Sequence, residues 1–373
     1  MCDVPRLQEF PSMTRLKLAL FAAFLPALLP PAVAQPTPTK AHTALVHAIA
    51  VSPDGKTVAT AGFDNVIKLW ALAPDGSLKE TKELKGHTGP VYAVAFHPTE
   101  PVLVSGSQDK TAKVWNINDA KTTAEFKGHT DIVDTVAFSP DGNTVASGSA
   151  DKSVKLWSPK DGKEIKSLGV HTGSVYAVAF SPDGKALASA SADKIVKIWD
   201  VAAQKELKQL VGHEEAVTGV TFANDADTVM TASMDRTIRV WSVKSVKEVK
   251  EVKKDPPKEA PKDKKDTKDP KDKKDPPKEQ PKEMKDPKDA GEVKRLGPTS
   301  DDPYAIVWSP ETKTLAVCGY SGQITTWSID NEKPKFTKSI KSPGYCIVFT
   351  KDGKAVLTGH DNGTISVTPI NGK

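Results

Sequence analysis

Cysteine and net charge are both scarce in this 373-residue chain, and each scarcity removes a class of function. The three cysteines, Cys2, Cys318 and Cys346, are too few for metal-thiolate chemistry. Cys318 and Cys346 fall on neighbouring units of a repeat described below, so they either pair in an oxidising compartment or stay free and buried, a choice that geometry makes. Lys and Arg exceed Asp and Glu by five (52 against 47), and residues 250–290 alone, with 15 Lys against 12 acids, account for three of the five. The remainder is nearly neutral and shows no clustered basic face, which argues against nucleic-acid binding. No His-Glu-x-x-His, Gly-x-Ser-x-Gly, phosphate-loop or Asp-rich calcium-loop pattern occurs, and no cofactor or metal is implied.

What is present begins with a leader. From Met13 the chain reads Met-Thr-Arg-Leu-Lys, then an apolar run from Leu18 to Leu29, then Ala32-Val33-Ala34. A charged start, a short apolar core and an Ala-x-Ala site predict a cleaved export signal over residues 1–34, with Met13 a plausible true start. An uncleaved anchor is the alternative, but Pro26, Pro30 and Pro31 interrupt the run, which falls short of the ~20 apolar residues a span needs. The expected location is periplasmic or secreted, with no membrane span once the leader is removed.

Residues 35–373 repeat. Tryptophans at 70, 115, 157, 199 and 241 are separated by 45, 42, 42 and 42 residues. A period of that length means a solenoid or a propeller. Within each unit apolar residues alternate with period two, and Ser-Pro-Asp-Gly turns at 52, 139 and 181 punctuate them. Three strands are expected ahead of a fourth that follows each tryptophan. Two further units keep the spacing: Tyr304 to Trp327 and Tyr345 to Thr368 are each 23 residues, as are Tyr92 to Trp115 and Tyr176 to Trp199. The expected fold is therefore all-β, a seven-bladed β-propeller of four-stranded antiparallel blades. The chain ends five residues after Thr368, so the N-terminal residues 36–41 are expected to supply the last blade's outer strand, where prolines are tolerated.

One insertion breaks the period. Trp241 to Trp327 is 86 residues, one period plus about 44, and the excess is a Lys/Asp/Pro-rich tract at about 248–291. Its position is predicted between the third and fourth strands of unit 5, and its composition that of a solvated, disordered spacer.

Four positions recur in register through units 1 to 5: His42, Thr60, Asp64, Trp70; His87, Ser105, Asp109, Trp115; His129, Ser147, Asp151, Trp157; His171, Ser189, Asp193, Trp199; and His213, Thr231, Asp235, Trp241. With the Gly-His pairs at 86–87, 128–129 and 212–213 and the Trp-Asp at 199–200, the chain from about residue 36 resembles the Trp-Asp (WD) repeat family. The resemblance implies that these twenty residues form buried hydrogen-bonded tetrads, a structural role that suits an indole donor, a relaying hydroxyl, an imidazole and a carboxylate. Unit 6 offers Thr299, Val317, Ser321 and Trp327, and unit 7 offers Ile340, Thr358, Asn362 and Thr368. Neither tetrad is complete, so both blades are expected to be softer. His47, His97 and His360 belong to no tetrad.

All five tyrosines occupy two kinds of repeat position. Tyr92, Tyr176, Tyr304 and Tyr345 stand five residues after the tetrad-histidine slot, and Tyr320 immediately precedes an aspartate slot. Phe63 and Met234 share the slot of Tyr320, and His47 that of Tyr92. Both slots flank the loops that tetrads pin, so these eight residues are expected to ring one mouth of the central channel, the face that the resemblance implies for partner binding. Packing between blades is the competing reading. The expected function is an exported, monomeric, non-enzymatic scaffold for protein partners. Binding of cell-wall polysaccharide or peptidoglycan, and an exported lyase or hydrolase, are the alternatives.

Overall fold

Each unit turns its alternating apolar run into strands because its own side chains close the turns. At 181–184, Ser181 Oγ donates to Asp183 (2.7 Å) and accepts from the Ala186 amide (2.9 Å), while Gly184 takes a φ of +71° that an L side chain resists. In the computed structural model of the chain, residues 37–244, 291–331, 333–340 and 342–370 are described. The expected leader at 1–34, Cys2 and the Lys/Asp/Pro tract up to residue 290 lie outside them.

The described residues build seven four-stranded antiparallel sheets and no helix. Their first strands are β2 (Val46–Val51), β6 (Val91–Phe96), β10 (Val133–Phe138), β14 (Val175–Phe180), β18 (Val217–Phe222), β22 (Pro303–Ser309) and β26 (Gly344–Phe349). Each packs against the first strand of the next blade, and β26 packs against β2, so the seven enclose a central channel and close a ring. Closure is shared between the chain ends. β1 (Thr39–Lys40) pairs Thr39 with Ile365 and Lys40 with Thr364 of β28 (Thr364–Pro369), completing the last blade. In blade 5 the third strand, β20 (Ile238–Ser242), pairs directly with the fourth, β21 (Glu292–Leu296), so the two ends of the intervening stretch meet in one sheet.

The core is divided among the blade interfaces. Seven apolar clusters each join two adjacent blades, and one of them, with Val46, Trp70, Leu357 and Ile365, joins blade 7 to blade 1. Small residues in the second strands set the spacing: a Cβ on Gly148 would lie 2.5 Å from Val175 Cγ1 of the next blade. Cys318 and Cys346 are free, buried thiols. Cys318 Sγ faces Gly344 O of blade 7 (3.3 Å) and Cys346 Sγ faces Val46 O of blade 1 (3.7 Å), so they point across successive interfaces rather than at each other. Burial pushes the Cys346 thiol up to about 12 and the Cys318 thiol well above its ordinary value.

Candidate partner-binding face

The channel mouth at the start of the first strands is organised by hydrogen bonds that begin at the tryptophans. In blade 4, Trp199 Nε1 donates to Ser189 Oγ (2.8 Å), which lies 2.8 Å from His171 Nε2, and His171 Nδ1 lies 2.9 Å from Asp193. Donors and acceptors match only if Nδ1 carries the proton and Nε2 accepts from the hydroxyl. The same three contacts recur in blade 1 (Trp70, Thr60, His42, Asp64), blade 2 (Trp115, Ser105, His87, Asp109), blade 3 (Trp157, Ser147, His129, Asp151) and blade 5 (Trp241, Thr231, His213, Asp235). Each aspartate also accepts the amide after its histidine, as Asp193 does from Thr172 N (2.8 Å). One carboxylate thereby ties the turn between the second and third strands to the loop that enters the first.

Charge follows from this bonding. Burial pushes the Asp193 carboxyl up, but the bonds from His171 and Thr172 outweigh it and hold the group at about 2. Asp109, Asp151 and Asp235 are held well below the carboxylate range in the same way. Burial lowers His42 and His213 despite their aspartate partners, which keeps both rings neutral at pH 7.

Blades 6 and 7 solve the same problem differently. Val317 stands in the hydroxyl slot of blade 6, and Trp327 Nε1, fully buried, has no acceptor among the described residues. In blade 7 the slot histidine is Ile340, yet Thr358 still meets an imidazole: His360, two residues along β27 (Ala355–His360), places Nε2 3.2 Å from Thr358 Oγ1 and 3.0 Å from Ser366 Oγ, with Nδ1 3.1 Å from Pro343 O. His97 is likewise satisfied, its Nδ1 accepting from the Thr99 and Glu100 amides (3.2 and 2.9 Å) and its Nε2 lying 3.2 Å from Gly142 O. Register alone hid His360, because it reaches the hydroxyl from the second strand rather than from the preceding loop.

The tyrosine slot has a backbone cause. In every first strand the residue at this slot is the extra residue of a β-bulge: Val91 pairs with Ser107 and Ala93 with Gly106, leaving Tyr92 between them. Val46/Ala48, Val133/Thr135, Val175/Ala177, Val217/Gly219, Pro303/Ala305 and Gly344/Cys346 shift alike. A bulge re-aims its side chain out of the pleat. Around the ring the slot residues are His47, Tyr92, Asp134, Tyr176, Thr218, Tyr304 and Tyr345, so blades 6, 7, 1 and 2 carry a contiguous aromatic arc.

The structure brings the predicted residues together in two groups. Tyr304 and Tyr345 stack with centroids 5.1 Å apart, and Tyr320 lies near enough to raise both phenols, after burial and other charges. His47 stacks on Phe63 (5.5 Å) and meets Tyr92 (4.7 Å), while Phe63 meets Tyr92 (5.1 Å). His47 Nδ1 also bonds Tyr92 O across the blade interface (2.8 Å), and burial keeps the ring neutral. These half-buried rings share packing with presentation. Tyr320 (63% exposed), Tyr176 (39%) and Met234 (38%) are the open members.

The far ends of the first strands form a second mouth. A cleft of ≈ 420 Å³ is lined there by Phe138, Phe180, Phe222, Trp308 and prolines 140, 182 and 310, and Trp308 Nε1 donates to Asn224 Oδ1 (2.6 Å). Among the described residues, no group of three or more His, Cys, Asp or Glu could hold a metal ion, and no helix is long and apolar enough to cross a membrane.

Two family models match the chain. The WD domain, G-beta repeat, matches residues 35–71, and the second β-propeller of echinoderm microtubule-associated protein matches residues 91–256. No curated protein matches it.

Proposed function

We propose that this chain, which belongs to the WD-repeat β-propeller family, is an exported interaction scaffold that holds a protein partner against its tyrosine-bearing mouth. Propellers of this family are in general non-enzymatic and bind protein partners. The observation that carries the choice of face is the aromatic arc: a bulge recurs at the same slot near the start of all seven first strands, and four adjacent blades fill that slot with Tyr304, Tyr345, His47 and Tyr92. Aromatic side chains offer large contact area with few rotors and a polar tip, the material of interface hot spots. The reading is of binding rather than catalysis, since the tetrad histidines sit on separate blades with both ring nitrogens engaged. The leader at 1–34 supports placement in the periplasm or outside the cell.

The structure selects the variant that tests the face. Tyr92 and Tyr304 contribute to packing, so the informative changes are at the open positions, Tyr176→Ala, Tyr320→Ala and Met234→Ala together. A chain beginning at Gln35 is used as bait in envelope extract. The same protein retained by the parent and lost from a variant with an unchanged melt supports the reading; equal retention by both refutes this face. A second reading, cell-wall polymer, draws on the opposite cleft, where Trp308, Phe180 and Phe138 offer aromatic faces on which sugars stack. Sedimentation with purified wall, and its loss in Trp308→Ala, would favour it.

A further inference from the structure

A second set of bulges lies on the outermost strands, far from the channel. In blade 3, Leu156 pairs with Lys166 and Trp157 with Glu164, which leaves Ile165 as the extra residue of β13 (Glu164–Val170). Leu207 is left out in the same way in β17 (Lys205–Val211) of blade 4, and Val293 in β21 of blade 5. Thr81 and Thr123 hold this slot in blades 1 and 2, where each hydroxyl donates back to the third strand, to Leu69 O (2.9 Å) and Val114 O (3.3 Å). A bulge on an edge strand discourages pairing with another sheet, and threonine is enough for that task.

Blades 3 to 5 place branched aliphatics there instead. Ile165 is 47% exposed, Leu207 50% and Val293 66%. With Val170, also on β13, they are four of the seven large apolar side chains exposed among the described residues; the other three, Tyr176, Met234 and Tyr320, stand at the tyrosine-bearing mouth. The described outer strands of the remaining blades expose none.

The charge around this row has one sign in excess. The third and fourth strands of blades 3 to 5 carry eight Lys and Arg against four Asp and Glu. The glutamate before each aliphatic is neutralised by a third-strand cation, Glu164 by Lys155 (2.8 Å), Glu206 by Lys197 (3.0 Å) and Glu292 by Arg239 (2.7 Å). Lys166 and Lys205 are exposed, with no acidic partner among the described residues.

Shape and charge together select what covers such a row. The first strands enclose the channel, so the outer strands form a convex rim, with one aliphatic per blade. Two copies meeting rim to rim would touch over a small area, short of the ~800 Å² per partner of a stable interface, and would oppose like charges. A lipid surface conforms to a convex face and takes up single aliphatic side chains at headgroup depth, and when anionic it attracts the lysines between them.

We propose that the outer rim of blades 3 to 5 rests on an anionic lipid surface, with Ile165, Leu207 and Val293 inserted among the headgroups. The proposal goes beyond the scaffold reading and uses none of the mouth residues, so lipid and a protein partner can be held at once.

The test is flotation of the whole chain from Gln35 with vesicles of phosphatidylglycerol and phosphatidylcholine, beside vesicles of phosphatidylcholine alone. The informative variant is Ile165→Thr, Leu207→Thr, Val293→Thr together, because blades 1 and 2 already fold with threonine in this slot. The expected result is binding to the anionic vesicles that is lost in 1 M salt, where charges are screened beyond about 3 Å, and weakened about tenfold or more in the threonine variant with an unchanged melt. Lys166→Ala with Lys205→Ala should weaken it about fivefold or more, while Tyr176→Ala, Tyr320→Ala, Met234→Ala should float like the parent. No flotation at anionic lipid on the order of 1 mM, or a threonine variant that floats like the parent, would overturn the proposal. So would an envelope protein retained by the parent and lost from the threonine variant while neither floats, since the row would then face a protein. Failure here with the partner still lost from the mouth variant leaves the proposed face standing.

Discussion

Removing one buried hydroxyl should reveal how much each blade relies on its tetrad. Ser189 is fully buried, accepts from Trp199 Nε1 at 2.8 Å and lies 2.8 Å from His171 Nε2. Ser189→Ala removes a single oxygen, so the cavity is negligible, but it strands an indole donor and an imidazole acceptor. At about 1–3 kcal/mol for each orphaned group, the loss should be about 2–4 kcal/mol after some relaxation. Blade 6 shows why the lower end is realistic: Val317 already leaves Trp327 Nε1 without an acceptor, and the blade still forms, but no imidazole is stranded with it. Equilibrium urea unfolding of the chain from Gln35, followed by far-UV circular dichroism, reads the change. Ser189→Thr is the control, because Thr60 and Thr231 occupy this slot in blades 1 and 5, and it should stay within about 1 kcal/mol of the parent. A loss below about 0.5 kcal/mol in Ser189→Ala, or an equal loss in Ser189→Thr, would refute the argument that the hydroxyl relay matters.

Val317→Thr gives the orphaned Trp327 an acceptor with almost no change of volume, and should stabilise the protein by about 1 kcal/mol in the same assay. His360→Ala should destabilise by about 1–3 kcal/mol and speed amide exchange in blade 7 first, because Thr358, Ser366 and Pro343 O lose one shared partner; uniform exchange across all blades would contradict a local role. The folded Asp134 carboxyl, at about 7, lies above its ordinary 3.8, so the native state binds the extra proton and this contribution to stability, whole below pH 4, is lost as pH rises through 7. Asp134→Asn should therefore gain more stability over the parent at pH 8 than at pH 5, and thermal melts at the two pH values decide it. Asp193 has the opposite sign: held at about 2, it contributes stability above pH 4 that disappears as pH falls through 2, which acid titration of Asp193→Asn against the parent would show. Cys318 and Cys346 should resist a thiol-specific disulfide reagent in the native state and react on unfolding.

Much of the architecture was legible because it is local and repeated. A period-two strand, a Ser-Pro-Asp-Gly turn and a fixed 23-residue distance from Tyr92 to Trp115 are properties of one unit, and copying the unit leaves the same marks each time. The shared closure was legible for the same reason, since a unit missing its fourth strand must find it elsewhere, as β28 finds Thr39 and Lys40. The replacement of Ile340 by His360 was not, because it depends on a side chain reaching Thr358 from an unexpected strand. Nor was Asp134, which interrupts the tyrosine slot and looks in sequence like any polar residue near a turn.

Seven units, their strands, the tetrad residues and the slots that tyrosine prefers could be read from local signals, since strand period, turn chemistry and repeat length are set within about forty residues. The packed fold was needed to see that those slots are bulges, that Tyr304 stacks on Tyr345 while Tyr320 stays open, that the two thiols face different interfaces, and that Asp134 Oδ2 has no donor among the described residues. Each of these is a relation between neighbouring elements, and packing geometry across an interface is not written in the spacing of residues along one chain.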